Sequence, residues 1–466
     1  MRRGVGALML TVLLFLPTAC MPTAMPPMPA TADAPLAFSV MTTRPVPAGT
    51  EVGAATTDGR FLAATGIGKV TVFDLSQPAT LPEVCTFAPP GGGEPTSVAI
   101  VPHRHLALAA VKRDPEPGVV VAFDVATCAP LWDVAVGIGP DAIVVTPDGR
   151  QALVAVEAEE SPIEQPTTTA CPTAANEPNG VPGRVDLLDL RHDGREAPTV
   201  RAIPIGLLGV EGTSCQDDPQ PEGLAVSGDG RLAYVTLQEN NALATIDLRT
   251  ATVASVISLG ATRHPADVRN GDGAEVSDPF TGRRESDGVA VSRDGHWLFT
   301  ADEGDTARPT VSATVFSGGR TLTVLSAAWF EPGQGRPDAS VTPPAIVADT
   351  GAQIELAAAA NGVLDQTRAR NRGPEPEGIT TFTVGEVEVA AVTLERSNAV
   401  ILFDVSDPLP PTTLAFVPTG VSPEGVIYVA SRRLLITTNE GVPDASPPVP
   451  ASITVICMQV GGSDCR

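Results

Sequence analysis

Apolar positions in this chain fall in short runs and two-residue alternations, the spacing of strands, and hardly anywhere in helical faces. The clearest stretch is QPEGLAVSGDGRLAYVTLQENNALATIDL, residues 220–248. Leu224 to Ser227 predicts a short strand, Gly228-Asp229-Gly230 a hairpin turn, Leu232 to Leu237 an alternating return strand, and Ala242 to Leu248 a third strand. The phrase recurs with its turn in register. Copies start at Thr50-Glu51, Pro95-Thr96, Pro140-Asp141, Pro221-Glu222, Ser286-Asp287, Pro376-Glu377 and Pro423-Glu424. Four keep an intact turn, at Asp58-Gly59, Asp148-Gly149, Asp229-Gly230 and Asp294-Gly295. The third strand recurs as VTVFDL (70–75), VVAFDV (120–125), VDLLDL (185–190), LATIDL (243–248), VILFDV (400–405) and SITVIC (452–457), with a weaker copy at 321–326.

A period of about 45 residues with three or four strands per copy predicts an all-β fold. The expected form is a seven-bladed β-propeller of four-stranded antiparallel blades, each burying its faces against its neighbours, in a single domain over 36–466. The seventh copy runs out after its third strand. The strand-like LAFSVMT (36–42) is expected to supply the missing outer strand and close the ring. Extra length after the third, fourth and fifth copies predicts loops at 158–182, 207–220, 261–284 and 331–374.

Aromatic residues are 4% of the chain against 43% hydrophobic, so Val, Leu, Ile and Ala must build the core. The formal net charge of −24 excludes nucleic acid and anionic membrane surfaces as partners, since both repel it. Much of that charge serves solubility. At the amino end Arg2-Arg3, an apolar run from Ala7 to Leu16 and small residues before Cys20 predict an export signal over 1–19, too short to span a membrane. Leu16-Pro17-Thr18-Ala19-Cys20 resembles the lipobox of bacterial lipoproteins, with Pro17 where leucine is usual, which implies a lipid on Cys20. Residues 20–35 then form a Pro-rich tether. The expected product is a monomer, lipid-anchored at the bacterial cell envelope or surface.

With Cys20 lipidated, six cysteines remain, an even number for an oxidising compartment. Many pairings are open. The favoured set is Cys171 with Cys215, both in the excursion after the third copy, Cys457 with Cys465, and Cys85 with Cys128 across the first two copies. No cysteine pair has zinc-site spacing.

Standard catalytic signatures are absent: no nucleophile elbow, HExxH, P-loop or dinucleotide fingerprint occurs. His103, His105, His192, His264 and His296 fall in turns or loops at unrelated positions and carry little weight as general bases. The carboxylates do follow a pattern. First-strand starts read Glu51, Thr96, Asp141, Glu222, Asp287, Glu377 and Glu424, and the aligned second-strand ends read Ile67, Lys112, Glu157, Gln238, Glu303, Glu395 and Glu440. Both sets lie at the hairpin end opposite the Asp-Gly turn, and a propeller's first strand lines its channel, so these groups are expected around the channel mouth. Crowded like charges raise one another's pKa unless a cation or basic group compensates. One reading makes each carboxylate a cap for its own turn or a partner for a base such as Arg396. The other assigns a divalent cation, Ca²⁺ above all, to Asp287, Glu303, Glu377, Glu395, Glu424 and Glu440, with further oxygens from Asp302 and Asp305.

Four phrases add a resemblance: SDGVAV…LFTADEGDTAR (286–308), GPEPEGI (373–379), VTLERSNAVILFDVSDP (392–408) and SPEGV…LLITTNE (422–440). Over roughly 45–458 the chain resembles the choice-of-anchor I family of exported bacterial propellers related to YVTN surface repeats. That resemblance implies variable anchoring. Some relatives are described as alkaline-phosphatase-like, which implies phosphoester hydrolysis without a nucleophile that can be matched here. The leading expectation is a binding or scaffold module for an extracytoplasmic protein or small molecule, with a metal-dependent phosphoester hydrolase and a lactonase-like sugar enzyme as alternatives.

Overall fold

The computed structural model describes Met1 and residues 36–158, 182–190, 194–304, 310–312, 314–330 and 345–460. The expected signal segment and tether, Cys20, Cys171, Cys465, His192 and Asp305 lie outside the described residues. The chain divides at Pro35, and all that follows concerns the unit Leu36–Arg466.

Among the described residues the strands form eight four-stranded sheets. Six are antiparallel meanders, sheets one to six, at 53–87, 94–135, 140–204, 224–258, 289–349 and 376–418, the fifth interrupted between Trp297–Ala301 and Leu322–Ser326 by strands of another sheet. Sheet seven, at 423–460, has three strands of its own. Its fourth is Leu36–Pro45, antiparallel to Ser452–Val460, with Leu36 opposite Val460 and Pro45 opposite Ser452. The closing strand is therefore the expected one, running three residues beyond Thr42. First strands touch in cyclic order, each to the next and the seventh back to the first. The fold is a β-propeller.

The hydrophobic core lies between sheets. One cluster joins sheets one and two through Val70, Val72, Val121 and Phe123, another joins six and seven through Val400, Leu402, Leu435 and Ile456, and the seam between seven and one is filled by Leu62, Phe73, Ile436 and Ile453. Middle strands pack on both faces, which is why Phe61–Gly66, Leu232–Leu237 and Leu434–Asn439 are buried at every position. The small aliphatic residues suit such close sheet stacking.

The Asp-Gly turns share one device. A hydroxyl two residues before the aspartate donates to its Oδ1, Thr56 to Asp58 at 2.6 Å and Thr146 to Asp148, Ser227 to Asp229 and Ser292 to Asp294 at 2.7 Å. The glycine takes positive φ, 68° at Gly59 and 70° at Gly230, where a side chain would be strained. A different glycine fixes the opposite end. A Cβ on Gly223 would lie 2.3 Å from the Asp287 carbonyl oxygen, and one on Gly378 would lie 2.2 Å from that of Glu424. The residue after Glu222, Asp287, Glu377 and Glu424 is thus glycine because the backbone of the next sheet's acid presses against it. Threonine hydroxyls donate to the same carbonyls, Thr236 to Asp287 at 2.5 Å and Thr393 to Glu424 at 2.7 Å, locking sheet to sheet around the channel.

Two expectations of loops are corrected. Within 261–284 the chain forms the hairpin strands Ala261–Ala266 and Asp278–Arg283, which join Val315–Phe316 and Thr310–Ser312 in the eighth sheet, outside the ring of first-strand contacts. Within 331–374 lies the helix Gln353–Ala360, whose Ile354 and Ala358 are buried. Arg320 ties the two insertions together: fully buried, it pairs with the helix's Glu355 at 2.6 Å and donates to the Asp267 and Ala369 carbonyls at 2.8 Å. Of the favoured disulfides Cys85–Cys128 is formed, across sheets one and two. Cys215 and Cys457 are disulfide-bonded as well.

Candidate functional site

The ring of first strands encloses a cavity of about 570 Å³. Glu51, Thr96, Asp141, Glu222, Asp287, Glu377 and Glu424 all line it, one from each sheet of the ring in turn, as the aligned phrase predicts. From the second-strand ends Gln238, Glu303 and Glu395 join them. No histidine lines the cavity among the described residues. His105 and His296 instead lie exposed at the Asp-Gly turns, bonded to Asp58 at 3.1 Å and Asp294 at 2.8 Å.

Burial dominates the electrostatics. It raises Glu51 to about 8, with Glu424, Glu440, Asp141 and Glu94 adding repulsion, and raises Asp287 to about 7, with Asp141 and Glu424 behind it. Glu395 is pushed to about 8 by burial, then Glu424 and Glu375. Glu222, Glu303 and Glu377 rise well above the carboxylate range, burial being the first cause in each. Such a mouth holds protons at neutral pH or binds positive charge in their place.

Two groups of carboxylates gather on the side of sheets five to seven. Glu303, Glu375, Glu377 and Glu395 bring one oxygen each within 4.8 Å of one another, and so do Glu395, Glu424 and Glu440. Of the six residues assigned to a cation, Asp287 lines the cavity but joins neither group. Arginines already serve the first group. Arg372 pairs with Glu303 and, at 2.9 Å, with Glu375; Arg368 reaches Glu375 at 2.5 Å; Arg396 reaches Glu375 at 3.2 Å and Glu395 at 2.8 Å. Glu424 adds to the upward push on Glu377, whose Oε2 is buried without a partner.

Asp302 was expected to add an oxygen here and does not. It neighbours Glu303 on an extended chain, so its side chain points to the other face. There it accepts from Ser286 at 2.5 Å, Thr300 at 2.9 Å, Thr321 at 2.5 Å and Thr323 at 2.6 Å, a saturated acceptor in sheet five. Sequence reading missed Glu375, Arg368 and Arg372, though it did single out Arg396. The available signal was RARNRG (367–373 reads TRARNRG) directly ahead of PEPEG, cations stored beside the acids they neutralise.

A third group was not anticipated as a unit. Glu157, Glu222 and Glu239 also bring one oxygen each within 4.8 Å.

The profile of a family described as Choice-of-anchor I domain matches residues 51–324 and 310–408. No curated protein matches the chain. Among solved structures it is similar to Kuenenia stuttgartiensis hydrazine synthase, at 15% identity and a TM-score of 0.53, covering 90% of this chain and 96% of that one. It is also similar to the β-propeller domain of Myceliophteria thermophila Cps50 (Swd1), at 10% identity and a TM-score of 0.54, covering 91% and 100%. The WD40 repeats of RRP9 match at 9% identity and a TM-score of 0.56, covering 92% and 99%. At such identities the likeness is one of fold.

Proposed function

The chain belongs to the choice-of-anchor I family, and from that premise we propose that it is an exported, surface-associated binding module, a ring of seven blades whose acid-lined channel mouth takes positively charged ligands. A surface-associated, exported protein is what a choice-of-anchor domain implies. The observation that carries the ligand class is the mouth itself: one carboxylate from nearly every sheet, Glu222 and Glu377 among them buried, with Glu377 Oε2 unpartnered. Crowding so many acids, some of them buried, is costly unless a positive partner comes. A hard divalent cation, Ca²⁺ first, fits the all-oxygen donor set of Glu395, Glu424 and Glu440, with Asp287, Glu303 and Glu377 beside them. Because a ligand that binds only the folded state stabilises it by mass action, the melting temperature should climb on adding millimolar Ca²⁺ to chelator-treated protein. No melting shift and no calorimetric heat with Ca²⁺, Mg²⁺ or Mn²⁺ would reduce these carboxylates to turn caps and arginine partners.

The anchoring belongs to the same reading. Lipid on Cys20 would hold the propeller at the envelope by a short Pro-rich tether, leaving the mouth free to meet its ligand. In cells making the full chain, wild-type protein should partition into the detergent phase and Cys20→Ser should appear in the aqueous phase; an aqueous wild type with an unmodified Cys20 would refute the anchor.

A further inference from the structure

The carboxylates on the two sides of the mouth differ in what surrounds them. Those of sheets five and six face guanidinium groups, with Arg372 on Glu303 and Arg396 on Glu395. Glu222 has no such company. It begins sheet four, where its backbone N–H is fixed to the Thr236 carbonyl at 3.0 Å. Glu157 arrives from the end of the second strand of sheet three, Gln151–Val156, and Glu239 from just beyond Leu232–Leu237. Three separate segments flanking the strands of sheets three and four therefore bring carboxylates to one point. One oxygen from each lies within 4.8 Å of the others, the span across an ion bonded at about 2.4 Å, the ordinary length of a Ca²⁺–oxygen bond.

The second observation concerns Glu222 itself. Its side chain belongs to a residue only 8% exposed, and its Oε2 is buried without a hydrogen-bond partner. The charged groups that act most on it are Glu239, Glu157, Asp287 and Asp141, all acidic. Lys112 acts on Asp141, on the sheet-two side of the ring. A buried carboxylate oxygen aimed among two further carboxylates and left unpaired is costly as an anion, and an oxygen-seeking cation removes that cost.

We propose that Glu157, Glu222 and Glu239 form a second divalent-cation site, of Ca²⁺ type, at the sheet-three and sheet-four side of the mouth. It is separate from the Glu395, Glu424 and Glu440 group, and it rests on the reading of the mouth as a cation-binding site. Water and neighbouring carbonyls complete the six to eight oxygens such an ion takes.

The test is calorimetric titration of chelator-treated, full-length protein with CaCl₂, comparing wild type, Glu222→Gln, Glu239→Gln and Glu424→Gln. Glutamine keeps the shape of glutamate and removes a buried charge, so the metal-free variants at positions 222 and 239 should melt at or above the wild-type temperature, which reports an intact fold. Glu222→Gln and Glu239→Gln should each lose one equivalent of Ca²⁺ that Glu424→Gln keeps. If both variants bind as many equivalents as wild type with unchanged affinity, Glu222 merely holds a proton and the proposal is overturned. Loss in Glu424→Gln alone overturns it too, yet leaves the general reading of the mouth standing. A wild type that binds no Ca²⁺ removes both.

Discussion

Deleting Leu36–Pro45 should lower the melting temperature by about 10 °C or more, or leave a chain that melts without cooperativity. The strand pairs along its whole length with Ser452–Val460, and Leu36 and Phe38 pack on the cluster between sheets six and seven. At ~1 kcal/mol net for each backbone hydrogen bond, the loss reaches several kcal/mol, a large share of the total stability of a folded domain. It also exposes Ser452–Val460 as a bare edge, an invitation to aggregate. Its own residues are largely exposed, so little core is lost directly. The effect comes from opening the last sheet, and with it the packing on either side. Differential scanning calorimetry of protein starting at residue 46 decides the matter: a melting temperature equal to wild type would show that the strand decorates the ring without closing it.

The second large effect concerns pH. In the folded protein Glu51 and Glu395 titrate at about 8 and Asp287 at about 7, whereas in the unfolded chain they return to the ordinary carboxylate range. Between those limits the folded state carries the extra protons. Stability linked to a raised pKa is complete below the unfolded value and drains away as pH climbs through the folded one. Metal-free protein should therefore be most heat-stable near pH 5, weaken steadily to about pH 8 and level off beyond, each fully displaced proton changing stability by about 1.4 kcal/mol per pH unit. Added Ca²⁺ should flatten that slope, since a bound cation substitutes for the protons. Melting curves at pH 5, 6, 7 and 8 with chelator present check it. A stability that rises over this range would mean that arginine pairs, not protons, balance the mouth.

The blades were legible because their signals are local and repeated: a two-residue alternation, an Asp-Gly turn and a phrase in register are all written within about 45 residues. The mouth acids were legible for the same reason, as Glu222, Asp287, Glu377 and Glu424 occupy one position of a repeat whose geometry is known. Asp302 shows the limit of that logic. A carboxylate one residue from Glu303 counts as a neighbour in sequence, while the strand's alternation sends it to hydroxyls on the opposite face. The insertions were illegible for a different reason. Val315–Phe316 and Thr310–Ser312 are too short to show alternation, and the link from Asp278–Arg283 is one parallel pair, Gly282 with Phe316. The Ala-rich QIELAAAA did carry helix propensity, but a single short run amid Pro, Asp and Arg was outweighed by its surroundings. Glu375 and Arg372 meet only because an aperiodic excursion folds back on the ring.

The strand borrowed by sheet seven also sets a timetable. Thr43 meets Thr454 across 411 positions of chain, so this sheet remains unfinished until nearly everything else has emerged. Entropy is a small part of the delay, since the cost of closing a loop grows only with the logarithm of its length. Order of arrival is the larger part: sheets one to six are each drawn from one stretch of chain and can form as it appears, whereas the last must wait for both ends of the domain. Until both ends of the domain have met, Ser452–Val460 stays an open edge, so the completed ring is the last thing the chain acquires.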